Sequence, residues 1–409
     1  MKIADAVAAL GDGPLSEDGI ARHIAPLFSR VLAKEQIYLA NHSLGRPLDA
    51  MAGDVAEAVS LWYGKLGDAW DAWLAEREAF RGRIARLIGA ERADCVVPRT
   101  SAGQGLRAVL NAMGGRPRVV STRGEFDAVD LILKQYAALG RIDVRWVEPD
   151  ARGEFGIDAL IDAVEQGADL AVVSRVMFKT AQAIEGLERL ADACHARGAR
   201  LLVDAYHAVG VFPVDVRAMG ADFLIGGSYK YLRGGPGAGF LYVSLEMLES
   251  GLRPLDTGWF ANADMFSFQR PEMPALKAGG DAFLEGTPAV LTWYQARSGQ
   301  EFTLAMGVAR LREYSLRQLS ALRGYLANAG VADVTGGDAQ HGAFLSIRIN
   351  EATAVVKRLA SEGIDCDARG EILRLCPDCL TRDAELRRVA EVLGRVTEAE
   401  VPKPGMTLA

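Results

Sequence analysis

The chain has 409 residues, of which 50% are hydrophobic and 24% are charged, and its formal net charge is -7. A chain of this length and balance predicts a globular protein with one large domain and a smaller one. Lys and Arg are scattered along an acidic chain rather than clustered, which argues against a nucleic-acid partner.

The sequence also argues against a membrane or a metal partner. No apolar stretch approaches the length of a membrane span, and the apolar run after Met1 is too short to predict a signal peptide. The cysteines are odd in number and thinly spread, which is untypical of a disulfide framework. Cys376 and Cys379 form a C-x-x-C without a second pair or a nearby His cluster. We therefore expect a cytoplasmic protein that holds no metal.

The predicted elements change character after residue 90. Helical segments fill the chain to about Ile37, and a strand that runs into a Gly/Pro turn follows at 37–47. Apolar residues recur at helical spacing over 49–88, and the aromatic ones are predicted to be core, with a ligand surface as the alternative for the tryptophans: Trp62, Trp70, Trp73 and Phe80. Short Val/Leu/Ile runs then alternate with amphipathic helices, the runs lying at 95–98, 118–122, 144–149, 170–176, 200–206 and 222–229. This pattern predicts a large, mainly parallel sheet flanked by helices, with ligands at the carboxyl ends of its strands.

The last part of the chain predicts a smaller α+β domain. Strand, helix, strand and helix follow one another at 342–350, 352–363, 372–377 and 383–396. We expect an N-terminal segment (1–50) that packs with this small domain, a large domain (51–290), the small domain itself (291–400) and a disordered tail (401–409).

Asp204 is the first candidate for chemistry. A buried strand in RLLVDAYHAVG (200–210) ends on this residue, and His207 follows on the turn. A carboxylate in this place is costly to bury unless a cation or hydrogen-bond donors compensate it. A protonated pyridine nitrogen would do so and would make its ring an electron sink. For Asp204 alone, a helix cap or a bond to a local Arg is the preferred explanation.

Lys230 is the second candidate, because it follows another buried strand in DFLIGGSYKYLRGGPGAGFLYV (222–243). Burial lowers the pKa of a lysine, which suits Schiff-base chemistry. Ser228 and Tyr229 could donate hydrogen bonds to a phosphate. The run GGPGAG leads into a strand rather than a helix, so it does not fit a dinucleotide fingerprint.

Two further segments complete a consistent set. Thr100 and Ser101 lie on a turn that opens a helix, where backbone amides and the helix dipole favour an anion, although plain helix capping is an equal reading. Phe126, just after the run at 118–122, could stack on a flat ring. Taken together these residues predict a phosphate site, a stacking aromatic, a strand-end Asp and a Lys.

The stretch from Asp204 to Gly239 resembles the class V group of fold-type I pyridoxal-phosphate enzymes, and in detail it is most similar to kynureninases. Three further segments match in the same order along the chain: NHSLGRP (41–47), TGWF (257–260) and LEGTPAVL (284–291). The resemblance covers most of the chain, from about Tyr38 to Pro377.

The resemblance implies that Lys230 forms a Schiff base with pyridoxal phosphate and that Asp204 pairs with its pyridine nitrogen. It implies further cofactor contacts from Thr100, Ser101, Phe126, Ser174, His207 and Tyr229. Trp259 and Thr287 match positions that reach the phosphate from a neighbouring subunit, which implies a homodimer with shared active sites. Arg374 matches the arginine that grips a substrate α-carboxylate, with a surface ion pair as the alternative; Asn41 and His42 are expected on the substrate side.

The sequence departs from the family near the substrate. Kynureninases usually show Asn-Phe-Pro-Thr-Asp at the stacking phenylalanine, whereas this chain reads Glu-Phe-Asp-Ala-Val at 125–129, so the family's acidic residue is lost or displaced to Asp127 or Asp130. The motif Gly-Asn-Ser-Leu-Gly has become Asn-His-Ser-Leu-Gly at 41–45. The segments at 175–178 and after Arg374 differ as well.

The resemblance implies hydrolysis of the Cβ–Cγ bond of L-kynurenine or a related amino acid to alanine and an aromatic acid. Lys230 would act as the general base at Cα, and Tyr229 is the candidate acid or hydrogen-bond donor. Two alternatives stay open: another class V reaction (transamination, β-elimination or decarboxylation) and a non-catalytic protein of the same fold.

Overall fold

The computed structural model describes residues 2–267 and 269–398. Its strands are β1 (Ile37–Tyr38), β2 (Val96–Arg99), β3 (Arg118–Thr122), β4 (Asp143–Val147), β5 (Leu170–Ser174), β6 (Arg200–Asp204), β7 (Phe223–Gly227), β8 (Gly239–Val243), β9 (Val334–Thr335), β10 (Leu345–Arg348), β11 (Ile364–Asp365), β12 (Asp367–Arg369) and β13 (Ile372–Leu375). Its α-helices are α1 (Ile3–Ala8), α2 (Glu17–Gly19), α3 (Ser29–Leu32), α4 (Met51–Lys65), α5 (Ala69–Ile88), α6 (Ala102–Ala112), α7 (Asp127–Ala138), α8 (Ile157–Glu165), α9 (Leu187–His195), α10 (Leu245–Glu249), α11 (Val290–Met306), α12 (Val308–Asn328), α13 (Ala352–Ser361) and α14 (Asp383–Glu398).

The largest sheet in the described part of the chain has the order β2-β8-β7-β6-β5-β3-β4. The neighbours from β7 through β6, β5 and β3 to β4 run parallel, whereas β8 pairs antiparallel with both β7 and β2. Every residue of β5, β7 and β8 is buried. Apolar side chains on both faces of these strands pack against helices, which accounts for their continuous hydrophobic runs. The predicted mainly parallel sheet flanked by helices is confirmed.

A second sheet, ordered β12-β13-β10-β9, is antiparallel and packs with α12, α13 and α14 around its own core. The N-terminal segment joins this part of the molecule. Ile37 pairs with Ile364 in a parallel β1–β11 ladder, and Leu39 is fully buried in the same core. The segment that follows β1 is thereby anchored beside β13, where Ala40 bridges to Cys376.

Helix α11 crosses the predicted limit at residue 290. Trp293, Tyr294 and Ala296 pack into the core of the large sheet, whereas Phe302 and Met306 pack with the N-terminal helices. The domain limits themselves stay a prediction, and the tail 401–409 lies outside the described residues. No helix within those residues is long and apolar enough to cross a membrane.

The aromatic residues of α4 and α5 divide between core and surface. Phe80 is fully buried, and Trp70 and Trp73 are partly buried against the large core. The prediction was wrong for Trp62, which is 60% exposed near the end of α4 and contacts Trp73 edge-on. Helical spacing puts a residue on a face, but only the packed neighbours decide whether that face is covered.

Candidate active site

The candidate site lies at the carboxyl edge of the large sheet. Strand β6 ends on Asp204, and β5 ends on Ser174, which pairs with Asp204 in the β5–β6 register. Strand β7 ends on Gly227, so Ser228, Tyr229 and Lys230 follow at the same edge. Because β5, β6 and β7 are adjacent, residues far apart in sequence come together here.

Lys230 is 4% exposed, and the rings of several aromatic side chains surround its Nζ atom. Its Nζ lies 2.6 Å from Nε2 of His207. The same nitrogen is 5.5 Å from the ring centroid of Phe126, 5.6 Å from that of Tyr229 and 5.8 Å from that of Tyr206. The structure therefore brings Lys230, His207, Phe126 and Tyr229 together, as the sequence predicts.

Asp204 is close enough to Lys230 for their charges to interact, and one of its two carboxylate oxygens accepts a hydrogen bond. Burial raises the pKa of Asp204, while the backbone N–H of Tyr206, 2.9 Å from Oδ1, and the charge of Lys230 oppose the shift. Burial likewise lowers the pKa of Lys230, with Asp204 opposing it. Among the described residues, no group donates a hydrogen bond to Oδ2 of Asp204. That oxygen is available to a cation.

Ser174 is held by a carboxyl group that the sequence analysis did not assign to the site. Glu125 is buried, and its oxygens accept hydrogen bonds from Oγ of Ser174 at 2.6 Å and Oγ1 of Thr122 at 2.7 Å. Burial raises the pKa of Glu125 to about 7, and nearby Asp204 adds to the shift against those hydrogen bonds. The acidic residue beside the stacking phenylalanine is thus Glu125. Asp127 is exposed and Asp130 bonds to Lys134 at the surface, so the suggested displacement to either was wrong.

The predicted phosphate site lies at the start of α6. Ser101 caps this helix, since its Oγ accepts from the backbone N–H of Gln104 at 3.2 Å. Thr100 donates through its backbone N–H and its hydroxyl to Oε1 of Gln104 at 2.8 and 3.2 Å. A Cβ atom on Gly239 would lie 3.0 Å from the Tyr206 hydroxyl and 3.4 Å from the Ser101 nitrogen. Chain segments thus approach closely at a helix N-terminus, where an anion is favoured.

Trp259 and Thr287 are both exposed in the single chain. Trp259 is 46% exposed and packs edge-on against Phe260 and Phe266. Thr287 is exposed and lines the same small cavity as Thr100 and Gln104. Their expected approach to a neighbouring subunit's phosphate stays a prediction.

Arg374 is 2% exposed, which excludes the surface ion pair considered from the sequence. Its Nε and Nη2 donate to the two oxygens of Asp367 at 2.8 and 2.5 Å. His42 bonds the same carboxylate through Nε2 at 2.8 Å, and its ring stacks 5.0 Å from that of Phe344. Asn41 donates to the carbonyl oxygen of Cys376 at 3.0 Å. The three residues expected on the substrate side therefore lie in one buried region.

Sequence reasoning did not identify four residues of this site: Glu125, Tyr206, Phe344 and Asp367. Tyr206 stands in the D-A-Y-H turn between Asp204 and His207, so its position is a usable signal. Asp367 and Phe344 come from the small sheet, and no local pattern in the sequence connects them with Lys230.

The residues fit pyridoxal phosphate. A buried amine with a lowered pKa, a buried carboxylate with a free oxygen and a helix N-terminus match the aldehyde, the pyridine nitrogen and the phosphate of that group. Cys376 and Cys379 are both buried, and the Cys376 thiol donates to the carbonyl oxygen of Ala343 at 3.0 Å.

Comparison with known proteins gives the class. Residues 69–373 match the aminotransferase class-V family, and the chain belongs to that family. This confirms the predicted class, and with it pyridoxal phosphate as the cofactor. Kynureninase of Pseudomonas fluorescens is 29% identical over 362 residues, which cover 85% of each chain. An uncharacterized aminotransferase of Bacillus subtilis (strain 168), YcbU, is 26% identical over 354 residues, covering 85% of this chain and 92% of its own.

The fold is also found among solved structures. Cysteine desulfurase from Thermococcus onnurineus NA1 superposes with a TM-score of 0.78 over 90% of this chain and 96% of its own, at 20% identity. At this identity the likeness concerns the fold alone.

Proposed function

We propose that this class V enzyme hydrolyses the Cβ–Cγ bond of L-kynurenine or a related amino acid. Water adds to the γ-carbonyl group, the bond between Cβ and Cγ breaks, and alanine and an aromatic acid leave. The observation that carries the proposal is the buried Arg374, which lies close enough to Lys230 to lower the pKa of that lysine. The chain is also similar to kynureninases over most of its length. A buried guanidinium beside the reactive amine suits a substrate with an α-carboxylate.

When bound, pyridoxal phosphate supplies an electron sink next to the substrate's Cα. Lys230 would hold the cofactor, and its free amine would take the proton from Cα. Burial lowers the pKa of Lys230, which favours the neutral amine that can act as a base. Asp204 would hold the cofactor's pyridine nitrogen in its protonated form.

The residues around Lys230 are suited to donate and accept protons at defined atoms. Burial raises the pKa of Tyr229 to about 12, so its hydroxyl stays protonated and serves as a hydrogen-bond donor. Burial and the nearby Lys230 charge hold the pKa of His207 well below its usual value, so its neutral ring can accept from Lys230. Arg374 orients the substrate through its carboxylate.

Another class V reaction is the second candidate, because Arg374 is already paired with Asp367 and the segments around the substrate depart from kynureninases. Transamination, β-elimination and decarboxylation would all use Lys230 and Asp204. Sulfur transfer through a cysteine is disfavoured: the five cysteines are buried, and burial raises the pKa of the Cys376 thiol to about 12. A non-catalytic role would have no need of a reactive amine paired with an electron-sink carboxylate.

Substitution of Lys230 tests the chemistry. Lys230→Ala should abolish both turnover and the covalent attachment of the cofactor, measured by mass spectrometry after borohydride reduction. Lys134→Ala, an exposed lysine of α7, is the matched control and should change neither. A Lys230→Ala protein that still turns over would contradict the assignment.

A substrate panel then separates the candidates. Holoenzyme is incubated with L-kynurenine, with 3-hydroxykynurenine and with simple amino acids plus an α-keto acid. Release of alanine from a kynurenine supports hydrolysis, whereas turnover that depends on the keto acid supports transamination. No turnover, in protein that carries the cofactor on Lys230, supports the non-catalytic alternative.

We further propose that the protein is a cytoplasmic homodimer. Large aromatic side chains are exposed on its surface, and Trp62 is 60% exposed, Tyr63 86%, Trp259 46% and Phe266 68%. Trp259 and Phe266 contact each other edge-on, and an exposed apolar patch marks an interaction site. Light scattering after gel filtration should give a dimer mass, and Trp259→Asp should shift the population towards monomer.

A further inference from the structure

Asp367 is a hub that joins Arg374 to the N-terminal segment. Its Oδ1 accepts from Nε of Arg374 and from Nε2 of His42, both at 2.8 Å. Its Oδ2 accepts from Nη2 of Arg374 at 2.5 Å and from Oγ of Ser43 at 2.6 Å. Arg369 adds a longer ion pair at 3.7 Å. The two carboxylate oxygens of Asp367 thus connect strands β12 and β13 to the N-terminal segment, which packs against Lys230.

The hub leaves part of the Arg374 guanidinium unused. An arginine has five N–H groups in a fixed plane. Within the described residues, two of them bond Asp367 and one, on Nη1, donates to the carbonyl oxygen of Phe178 at 2.7 Å. Among residues 2–267 and 269–398, one N–H on Nη1 and one on Nη2 of Arg374 have no acceptor. These are the donors that a bidentate carboxylate ligand uses.

The hub lies beside the reactive amine. Both Arg374 and Asp367 act on the pKa of Lys230, the first lowering it and the second raising it, after the larger effect of burial. His42 is fully buried, and its ring centroid lies 6.3 Å from that of His207, which bonds Lys230. The Asp367 side chain keeps 19% of its surface exposed.

Asp367 is an anion over the useful pH range. Burial acts to raise the pKa of Asp367, but hydrogen bonds and charges from His42 and Arg374 outweigh it and hold the pKa well below its usual value. The net charge of the Arg374–Asp367 pair is therefore close to zero. The ligand that binds is then decided by the orientation of the remaining N–H groups of Arg374.

We propose that Asp367, itself held by His42 and Ser43, is a positioning residue that fixes the guanidinium plane of Arg374 so that its two remaining N–H groups select substrates with a free α-carboxylate. The inference rests on the proposed function only in that the site binds an amino acid. Asp367 would then act on recognition of the carboxylate, not on chemistry at Cα. If Asp367 instead competes with the substrate carboxylate for Arg374, removal of its charge would increase the preference for a ligand with a free carboxylate.

The test is a ratio of two dissociation constants measured on holoenzyme from the absorbance change of the bound cofactor. L-alanine carries the carboxylate, and L-alaninamide replaces it with a neutral amide. In the wild-type protein the ratio should strongly favour alanine. Asp367→Asn should reduce this preference about tenfold or more, since a hydrogen bond to a charged group is worth about 1.5–3 kcal/mol and 1.4 kcal/mol is tenfold.

Asp365→Asn is the matched control. Asp365 lies two positions away from Asp367, and none of the described residues donates a hydrogen bond to its side chain. The preference of the Asp365→Asn protein for alanine should therefore equal that of the wild type. Both ligands are measured on one preparation, which cancels any inactive fraction. An unchanged or increased preference for alanine in Asp367→Asn would overturn the proposal.

A second variant covers the case in which Asp367→Asn does not fold or does not hold the cofactor. His42→Phe removes the Nε2 donor to Asp367 but keeps a flat ring against Phe344. The preference for alanine should fall several-fold, because Asp367 loses one of its supports, and an unchanged preference overturns the proposal. Since the titration does not require turnover, failure to cleave kynurenine would reject the proposed function and leave this result standing.

Discussion

Nζ of Lys230 lies 2.6 Å from Nε2 of His207, and both side chains are buried. Burial and the lysine charge hold the pKa of His207 well below its usual value, so the imidazole is neutral and accepts this hydrogen bond through Nε2. The Nδ1 atom of His207 has no partner among the described residues, and the ring packs 5.7 Å from that of Phe344. His207 therefore stabilises the protonated form of Lys230.

Replacing His207 should lower the pKa of Lys230 further. His207→Leu removes an acceptor from the ammonium group, so the pH at which the apoprotein becomes half-reactive towards pyridoxal phosphate should fall by about one unit, since a charged hydrogen bond is worth about 1.5–3 kcal/mol and one unit about 1.4. His207→Gln offers an amide oxygen as an acceptor and should lower this pH by less. The rate of covalent attachment as a function of pH gives both values. A midpoint that rises in His207→Leu would contradict the assigned direction of the bond.

Asp204→Asn should separate cofactor binding from turnover. The amide cannot support a protonated pyridine nitrogen, so turnover should fall about 100-fold or more, in line with the loss of a charge-stabilising group in a buried site. Lys230 itself is retained, so the cofactor should remain attached when measured by mass spectrometry. Asp192→Asn, on the exposed face of α9, is the control. Full activity in Asp204→Asn would remove this residue from the mechanism.

Glu125 should make the stability of the apoprotein depend on pH. Burial raises its pKa from 4.5 to about 7, so between these values the folded protein binds more protons at this residue than the unfolded chain does. The contribution of Glu125 to stability is therefore lost as pH rises from about 4.5 to about 7 and is constant above, with an upper limit on the order of 3 kcal/mol. His42 acts in the opposite direction, because burial lowers its pKa to about 4.

Comparison with Glu125→Gln isolates this effect. The free energy of unfolding is measured by urea denaturation at several pH values between 4.5 and 8. The wild-type protein should lose stability relative to Glu125→Gln as pH rises to about 7, after which the difference should stay constant. A difference that is constant over the whole range would show that Glu125 is ionised throughout.

Gly45→Ala should disturb the contact between the N-terminal segment and Lys230. The backbone N–H of Gly45 donates to the carbonyl oxygen of Tyr229 at 2.8 Å, and a Cβ atom at this position would collide with the carbonyl oxygen of Lys230. Overpacking of this kind costs about 1–3 kcal/mol. Thermal unfolding and cofactor affinity should both be reduced.

Gly64→Ala provides the contrast. A Cβ atom on Gly64, in α4, would meet no atom within 4 Å. Alanine is favoured over glycine within a helix by about 0.5–1 kcal/mol, so this variant should be slightly more stable than the wild type. Equal melting temperatures for the two variants would contradict the close approach at Gly45.

Site residues whose role follows from their place at the end of a strand could be predicted from the sequence. Asp204 and Lys230 each stand just at or after the end of an apolar run, and parallel strands align such ends at one sheet edge, so their meeting could be predicted without coordinates. Tyr229, His207 and Phe126 were found in the same way. The mainly parallel sheet followed from the continuous hydrophobic runs.

The side chains that complete the site from distant segments could not be predicted without the fold. Asp367 reaches Arg374 and His42 across the small sheet, and Glu125 turns inward to Ser174 while Asp127, two positions on, faces solvent. Trp62 and Phe80 share one helical pattern, yet the first is 60% exposed and the second is buried. Periodicity and strand position are local properties of a chain, whereas burial and ion pairing depend on which distant segment lies opposite.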